Sequence, residues 1–390
     1  MSHPTGPAPE SIIHGARKVD TDGIVEDFWL ATRGDRIVRT GTGHGWRDEL
    51  RPGTDVYAAT GVTVVPGFID LHVHGGGGVS FDDGPAAIAV GLATHRAHGT
   101  TRSLISLVSA PLERLERSLS QIADLADADP LVLGAHLEGP FLAPDRRGAH
   151  DPRALQLPDP AIIDRLLEAS RGYLCQITIA PELPGAIASI DRLVAAGVVV
   201  AVGHTDADAE TARLAFDHGA TLVTHAFNAV PGIHHRQPGP LPVALADERV
   251  TLEIIADGHH LHPDVVRLAF DSAPGRIALI TDAMAAAGAG DGSSLLGSLA
   301  VDVASGRATL PESDTLAGST LTLDSAFRTV TAGGIDEVRA VHALTAAPAR
   351  VLGIDGDFGR LASGWCADFI LLDEAQRVTQ VRADGHVVGP

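Results

Sequence analysis

Lysine is almost missing from this chain: Lys18 is the only one in 390 residues, and the other strongly basic side chains are all arginine. A GC-rich genome accounts for such a bias, but the scarcity also removes a chemical option, because no lysine stands beyond position 18. Positive charge is scarce altogether, with 29 Lys and Arg against 49 Asp and Glu and a formal net charge of −20. Non-specific binding to nucleic acid or to a membrane surface needs clustered Lys and Arg, so neither partner is expected. Cysteine occurs only at Cys175 and Cys366, without a CxxC pair. That argues against a disulfide framework and makes a reducing, cytoplasmic setting the expectation. No apolar run reaches the ~18 residues a membrane span needs, and the polar, Pro-rich start has no apolar signal core. What is present is an ordinary globular composition, 45% hydrophobic and 20% charged, with 19 histidines. The length suits a barrel of ~250 residues with a smaller companion domain.

Short alternating segments at 11–14, 23–25, 36–40 and 56–58, bounded by Gly or Asp, predict small antiparallel strands. From Val62 the texture changes. Apolar runs recur at 64–72, 100–108, 131–137, 173–180, 198–203, 221–225, 252–256 and 277–281. Amphipathic stretches lie between most of them, at 85–98, 111–127, 159–170, 183–196, 206–218 and 263–272. Apolar strands alternating with helices predict a parallel sheet covered on both faces, and this number of strands suits a closed (β/α)8 barrel. The His-, Pro- and Gly-rich segment 231–248 reads as a functional loop. After the last run come a strand-like stretch at 295–310, helices at 321–332 and 335–343, and short strands within 364–373 and 377–388. The expected division is an α/β barrel at 64–345 and a small β-sandwich domain built from 1–63 and 346–390.

Polar, metal-capable residues fall at the C-terminal ends of those runs. They are Asp70, His72 and His74 after the first, His136 and Glu138 after the third, His204 after the fifth and His225 after the sixth. Asp257, His259 and His260 follow the seventh, and Asp282 the eighth. Barrel enzymes build their sites at this face from several strands at once. Neutral imidazole and carboxylate suit borderline divalent cations. Residues i and i+2 of a strand share a side, so His72 and His74 can project together. Glu138 stands in an apolar run, where a carboxylate without a partner is costly. A carboxylate beside a metal-activated water, here Asp282, can take its proton and return it to a leaving group.

At these residues the chain resembles the amidohydrolase superfamily, and within it the N-acetylglucosamine-6-phosphate deacetylases. The most specific pieces are His136-Leu137-Glu138-Gly139-Pro140-Phe141 followed by Gly148-Ala149-His150, and Thr224-His225-Ala226-Phe227-Asn228-Ala229 followed by an arginine. Ile255-Ala256-Asp257-Gly258, Thr281-Asp282-Ala283 and Leu316-Ala317-Gly318-Ser319 add to it. The resemblance implies that Glu138, His204 and His225 hold the main metal. His72 and His74 would complete a second position, with Glu138 bridging and Asp282 at the metal as general acid and base. His150 and His260 match residues that bind the sugar and orient its carbonyl. Asn228, the backbone N–H of Ala229 and Arg236 match the phosphate subsite, and Ala317 lies in a substrate-binding segment. One or two divalent ions per subunit are implied, zinc first, with iron, manganese or cobalt as alternatives. In the family a neighbouring subunit helps to close the phosphate subsite, which implies a homodimer. The lone Lys18 precedes the barrel, so a carboxylated-lysine bridge between two metals is excluded and a glutamate-centred site is favoured. The phosphosugar would lose its N-acetyl group to a metal-activated water, leaving glucosamine 6-phosphate and acetate.

His95, His98, His218, His342 and His386 lie away from the strand ends and read as structural, His262-Pro263 as a helix start, and His234-His235 as a solvent-exposed pair. Two other functions fit parts of this pattern. One is another amide or cyclic-amide hydrolase, or a deaminase, on the same barrel, which would not require Asn228, Ala229 and Arg236. The other is a degenerate barrel scaffold, against which stands the presence of every expected ligand.

Overall fold

A computed structural model describes residues 9–311 and 313–389. The opening alternation forms β1 (Ser11–Asp20), β2 (Gly23–Arg33), β3 (Arg36–Thr42) and β4 (Asp55–Ala58). The run expected as one strand over 64–72 is two. β5 (Thr63–Pro66) pairs with β1, whereas β6 (Phe68–Asp70) enters the barrel sheet. Gly67 is the break, since a Cβ there would stand 2.3 Å from Thr101 Oγ1. Both strands are apolar and buried, so composition alone does not show where one ladder ends.

A small hairpin, β7 (Gly75–Gly76) and β8 (Val79–Ser80), precedes the remaining barrel strands. These are β9 (Thr100–Val108), β10 (Val132–Glu138), β11 (Leu174–Ile179), β12 (Val199–Val202), β13 (Leu222–Val223), β14 (Thr251–Ile255) and β15 (Ile277–Ile280). From β9 to β15 each pairs in parallel with the next, and β6 lies beside β9. The seam between the first and last strands is closed just past their ends. Asp282 N–H donates to His72 O at 2.8 Å, His74 N–H to Ala283 O at 2.8 Å, and Thr281 Oγ1 to the buried Asp70 Oδ2 at 2.7 Å. The result is a nearly closed parallel barrel.

Helices α1 (Pro85–Ala97), α2 (Leu112–Ala128), α3 (Pro160–Ser170), α4 (Ala186–Ala195), α5 (Ala209–Asp217), α6 (Pro240–Ala246) and α7 (Pro263–Ser272) connect the strands. Their boundaries follow local chemistry. In α2 the residues buried are Leu112, Leu115, Leu119, Ile122 and Ala123, one stripe at helical spacing. Asp159 and Asp208 cap α3 and α5 by accepting from Ala161 N–H and Thr211 N–H. The segment expected as a loop at 231–248 does contain the short α6. After β15 the stretch at 295–310 is a three-stranded antiparallel sheet of β16 (Gly292–Leu296), β17 (Leu299–Ala304) and β18 (Arg307–Thr309), followed by α8 (Leu323–Ala332).

The chain ends with α9 (Glu337–Leu344), α10 (Ala346–Val351), β19 (Phe369–Leu372), β20 (Val378–Ala383) and β21 (His386–Gly389). β19 pairs antiparallel with β5, so N- and C-terminal strands share one sheet, separate from the barrel sheet. Its core includes Ile13, Phe28, Leu30, Val64, Phe369 and Leu371. The compact units are Met1–Ile69, Arg96–Thr101 and Ile335–Pro390 on one side, and Asp70–His95 with Arg102–Gly334 on the other. The boundaries thus fall after 69 and 334 rather than after 63 and 345. β5 belongs to the terminal sheet, and Arg17 of β1 holds Glu337 of α9 at 2.5 Å. No helix among the described residues is long and apolar enough to cross a membrane.

Candidate metal centre and catalytic pocket

The C-terminal ends of the barrel strands bring the distant ligands together, all within the barrel unit. Glu138, at the end of β10, is the hub. Its Oε1 lies 3.0 Å from His204 Nε2, 2.9 Å from His225 Nε2 and 3.6 Å from His72 Nε2. Its Oε2 lies 3.2 Å from both His74 Nε2 and His150 Nε2. Asp282 Oδ1 stands 3.4 Å from His72 Nε2 and 3.3 Å from His74 Nε2. Two donor sets result, His72-His74-Glu138-Asp282 and Glu138-His204-His225, and all of these residues are buried.

The backbone is held in an unusual conformation to achieve this. His204, His225 and Asp282 have φ of +46°, +25° and +47°, in or near the left-handed region that residues other than glycine seldom adopt. Each costs of order 1–3 kcal/mol, and such strain collects at working sites. Gly203, just before His204, has no room for a side chain, since a Cβ would meet Thr224 Cβ at 2.6 Å and Thr178 Cγ2 at 2.9 Å.

These residues fit a divalent metal. His72 Nε2 and His74 Nε2 face each other at 2.9 Å, and His204 Nε2 and His225 Nε2 at 3.0 Å. His204 gives its Nδ1 proton to the Arg146 carbonyl at 2.8 Å, and His72 gives its own to Glu253 at 3.3 Å, so their Nε2 lone pairs converge with carboxylate oxygens. Converging lone pairs need positive charge at their focus. Burial tends to lower the His74 pKa, yet hydrogen bonds to Asp282 and Glu138 lift it from 6.5 to about 9. His72 rises for similar reasons, with the Glu138 and Asp282 charges overcoming burial. Glu138 and Asp282 are held below their ordinary values, because the histidines around them outweigh burial. A bound cation would take the place of those protons.

His136 is not part of either donor set. Its ring bonds Ser106 Oγ at 2.9 Å and Thr178 Oγ1 at 3.0 Å, and burial keeps it neutral, well below 6.5. His150 is positioned differently. The Ser109 backbone N–H can only donate, and it lies 3.3 Å from His150 Nδ1. Nδ1 is therefore the acceptor, and Nε2 carries the proton that faces Glu138. Burial lowers the His150 pKa and so favours this neutral form. Gly139 (φ +91°) lets the Ser109 hydroxyl close in, since a Cβ there would come within 2.3 Å of Ser109 Oγ.

A cavity of about 510 Å³ opens over Glu138, His150, His204, His225 and Asp282. Asn228, Ala229 and His260 stand on its wall, together with Arg146, Arg147 and Asp314. His260 donates from Nδ1 to Asp257 Oδ2 at 2.8 Å, which leaves Nε2 as an acceptor. Burial disfavours the Asp257 carboxylate, but the hydrogen bond from His260 holds its pKa below the ordinary value. Phe227 and Ala229 have φ of +78° and +52°, flanking Asn228 in a tight turn. Two expected residues are placed otherwise. Arg236 lies on an exposed loop and does not line this cavity, and Ala317 is fully buried between the wall residues Leu316 and Gly318. His234, His235 and His259 are exposed. Sequence reading missed Ser109 and Glu253. Glu253 carried a usable signal, a carboxylate in an apolar strand, as Glu138 did.

The sequence model of the amidohydrolase family matches residues 63–388. An N-acetylgalactosamine-6-phosphate deacetylase of Escherichia coli O157:H7 is 38% identical over 370 residues, 90% of this chain and 98% of the relative. A human N-acetylglucosamine-6-phosphate deacetylase is 34% identical over 379 residues, 93% and 91% respectively. Among solved structures, a mutant N-acetyl-D-glucosamine-6-phosphate deacetylase from Mycobacterium smegmatis, in complex with N-acetyl-D-glucosamine-6-phosphate, superposes with a TM-score of 0.92. It is 41% identical, with 98% of this chain and 100% of that one covered. The chain belongs to the amidohydrolase family, as a metal-dependent hydrolase.

Proposed function

We propose that this enzyme hydrolyses the N-acetyl group of N-acetylglucosamine 6-phosphate, giving glucosamine 6-phosphate and acetate. The observation that carries the reading is one cavity that joins a buried His/Glu/Asp cluster to the Asn228–Ala229 turn and His260. The relatives act, by their names, on N-acetylated amino-sugar phosphates.

Glu138, His204 and His225 would hold one metal, and His72, His74, Glu138 and Asp282 a second, with zinc the first choice. A cation there would polarise the acyl oxygen and lower the pKa of a water toward ~7. Asp282, kept ionised by His72 and His74, accepts the proton of that water and later returns it to the departing amine. His150, its tautomer set by Ser109, would turn its Nε2–H from Glu138, which it faces at 3.2 Å, to the acyl oxygen of a bound substrate. His260 Nε2 accepts from a sugar hydroxyl. The left-handed turn at Phe227–Ala229 presents backbone N–H groups, Ala229's among them, as an anion nest for the phosphate, beside Asn228. Arg236, off its own cavity, fits a role in a neighbouring subunit's phosphate site within a homodimer.

Acetate release should be measured on N-acetylglucosamine, its 6-phosphate and N-acetylgalactosamine 6-phosphate. N-acetylglucosamine 6-phosphate should be preferred over unphosphorylated N-acetylglucosamine by ~100-fold or more in kcat/KM, as loss of a charged phosphate grip implies. Equal activity on the unphosphorylated sugar would overturn the phosphate subsite. A second reading, with the 4-epimer as preferred substrate, has one observation behind it, the name of the relative from Escherichia coli. The same panel decides between them.

A further inference from the structure

Strand β14 carries one charged residue, Glu253, in the sequence Thr251-Leu252-Glu253-Ile254-Ile255, and it is 0% exposed. A carboxylate at that depth is costly unless its oxygens are met. Oε1 accepts from Gln176 Nε2 at 2.8 Å. Oε2 accepts from the His225 backbone N–H at 3.3 Å and from His72 Nδ1 at 3.3 Å. Because an ionised carboxylate only accepts, His72 must keep its proton on Nδ1. Its Nε2 lone pair is then turned toward His74 Nε2 and Asp282 Oδ1.

The neighbouring imidazoles lack this support. His204 donates its Nδ1 proton to a neutral carbonyl, that of Arg146, and among the described residues no hydrogen-bond partner meets Nδ1 of His74 or His225. Only His72, among the four candidate histidine ligands, has its far nitrogen on a carboxylate. A carboxylate behind a ligating imidazole fixes its tautomer and ring angle and raises its donor strength, and removing such a partner typically costs 10–100-fold in metal affinity.

We infer that Glu253 is a positioning residue for one metal position, the His72/His74 one, and through His72 sets whether that position fills. This rests on the reading of His72, His74, Glu138 and Asp282 as a metal site. Glu253 touches neither the proposed metal nor the cavity; it acts through the imidazole.

The test is metal retention by the purified holoenzyme against graded chelator, followed by elemental analysis and by the visible spectrum of the cobalt form. Glu253→Gln keeps the volume and an acceptor oxygen, and its amide can donate to Gln176, whose Oε1 has no partner in the native network. In E253Q one equivalent should be lost at ~10–100-fold lower chelator than in the wild type, with its cobalt bands, while the other shifts by less than ~3-fold. Gln176→Leu, which leaves the carboxylate on His72, should retain both. Retention by E253Q that matches the wild type, simultaneous loss of both equivalents, or the same selective loss in Q176L would overturn the role. His72→Asn separates the two readings. If H72N loses an equivalent that E253Q keeps, the metal position stands and only the role of Glu253 falls. If the wild type holds one equivalent and H72N holds it equally well, the metal position itself falls, and the inference with it.

Discussion

Replacing Asp282 by Asn removes a charge and a proton acceptor while keeping nearly every atom in place. The backbone should tolerate it, because Asp282 sits at φ +47° and Asn accepts left-handed conformations better than most residues. Its N–H still donates to His72 O at 2.8 Å, so the barrel seam is retained. What disappears is the carboxylate 3.3–3.4 Å from the Nε2 atoms of His74 and His72. General acid–base catalysis contributes ~10²–10⁴-fold, and Asp282 is proposed to serve in both proton transfers. The expected loss in kcat is therefore ~10³-fold or more, equivalent to about 4 kcal/mol of barrel-site barrier height. Steady-state acetate release gives kcat and KM, calorimetry gives substrate binding, and thermal unfolding checks the fold. Binding within ~5-fold of the wild type, with the collapse confined to kcat, is the predicted pattern. Turnover within ~3-fold of the wild type would refute the assignment of Asp282 as the proton carrier.

Arg236→Ala should raise KM for the phosphosugar ~10–100-fold and leave activity on the unphosphorylated sugar unchanged; equal effects on both would remove Arg236 from the phosphate grip. Gly203→Ala should cost ~1–3 kcal/mol in unfolding free energy, because its Cβ would collide with Thr224 at 2.6 Å, and an unchanged Tm would contradict that packing. His342 is partly buried, and burial, then Arg350 and Arg360, push its pKa from 6.5 down to about 4. A base whose folded pKa is depressed favours the native state above the unfolded pKa, and that stability is lost as pH falls from about 6.5 toward 4. His342→Gln should therefore flatten the pH dependence of unfolding free energy in that window by up to about 3 kcal/mol, and identical slopes in the two proteins would contradict it.

Much of the site was legible because its signals are local. Glu138, His204, His225 and Asp282 each end an apolar run, and parallel strands in one barrel bring such ends to one face. Contacts set by register were not legible. The break at Gly67 depends on Thr101, far along the chain, and the shortness of β13 depends on which neighbours it pairs with. The tautomer of His150 hangs on the backbone N–H of Ser109, a group every non-proline residue has. Arg236 follows the Asn228-Ala229 motif in sequence yet lies on an exposed loop off the cavity, because proximity along a loop does not fix the direction a side chain takes.

The most direct measurement is acetate release from N-acetylglucosamine 6-phosphate by protein stripped with a chelator and then restored with zinc, in the wild type and in the Glu138→Gln variant. Stripping should abolish wild-type turnover, zinc should restore it, and the variant, missing the hub shared by both donor sets, should stay inactive while still folded. Stripped protein that turns over as fast as the restored enzyme, or a Glu138→Gln variant as active as the wild type, would contradict a metal-dependent hydrolase centred on Glu138.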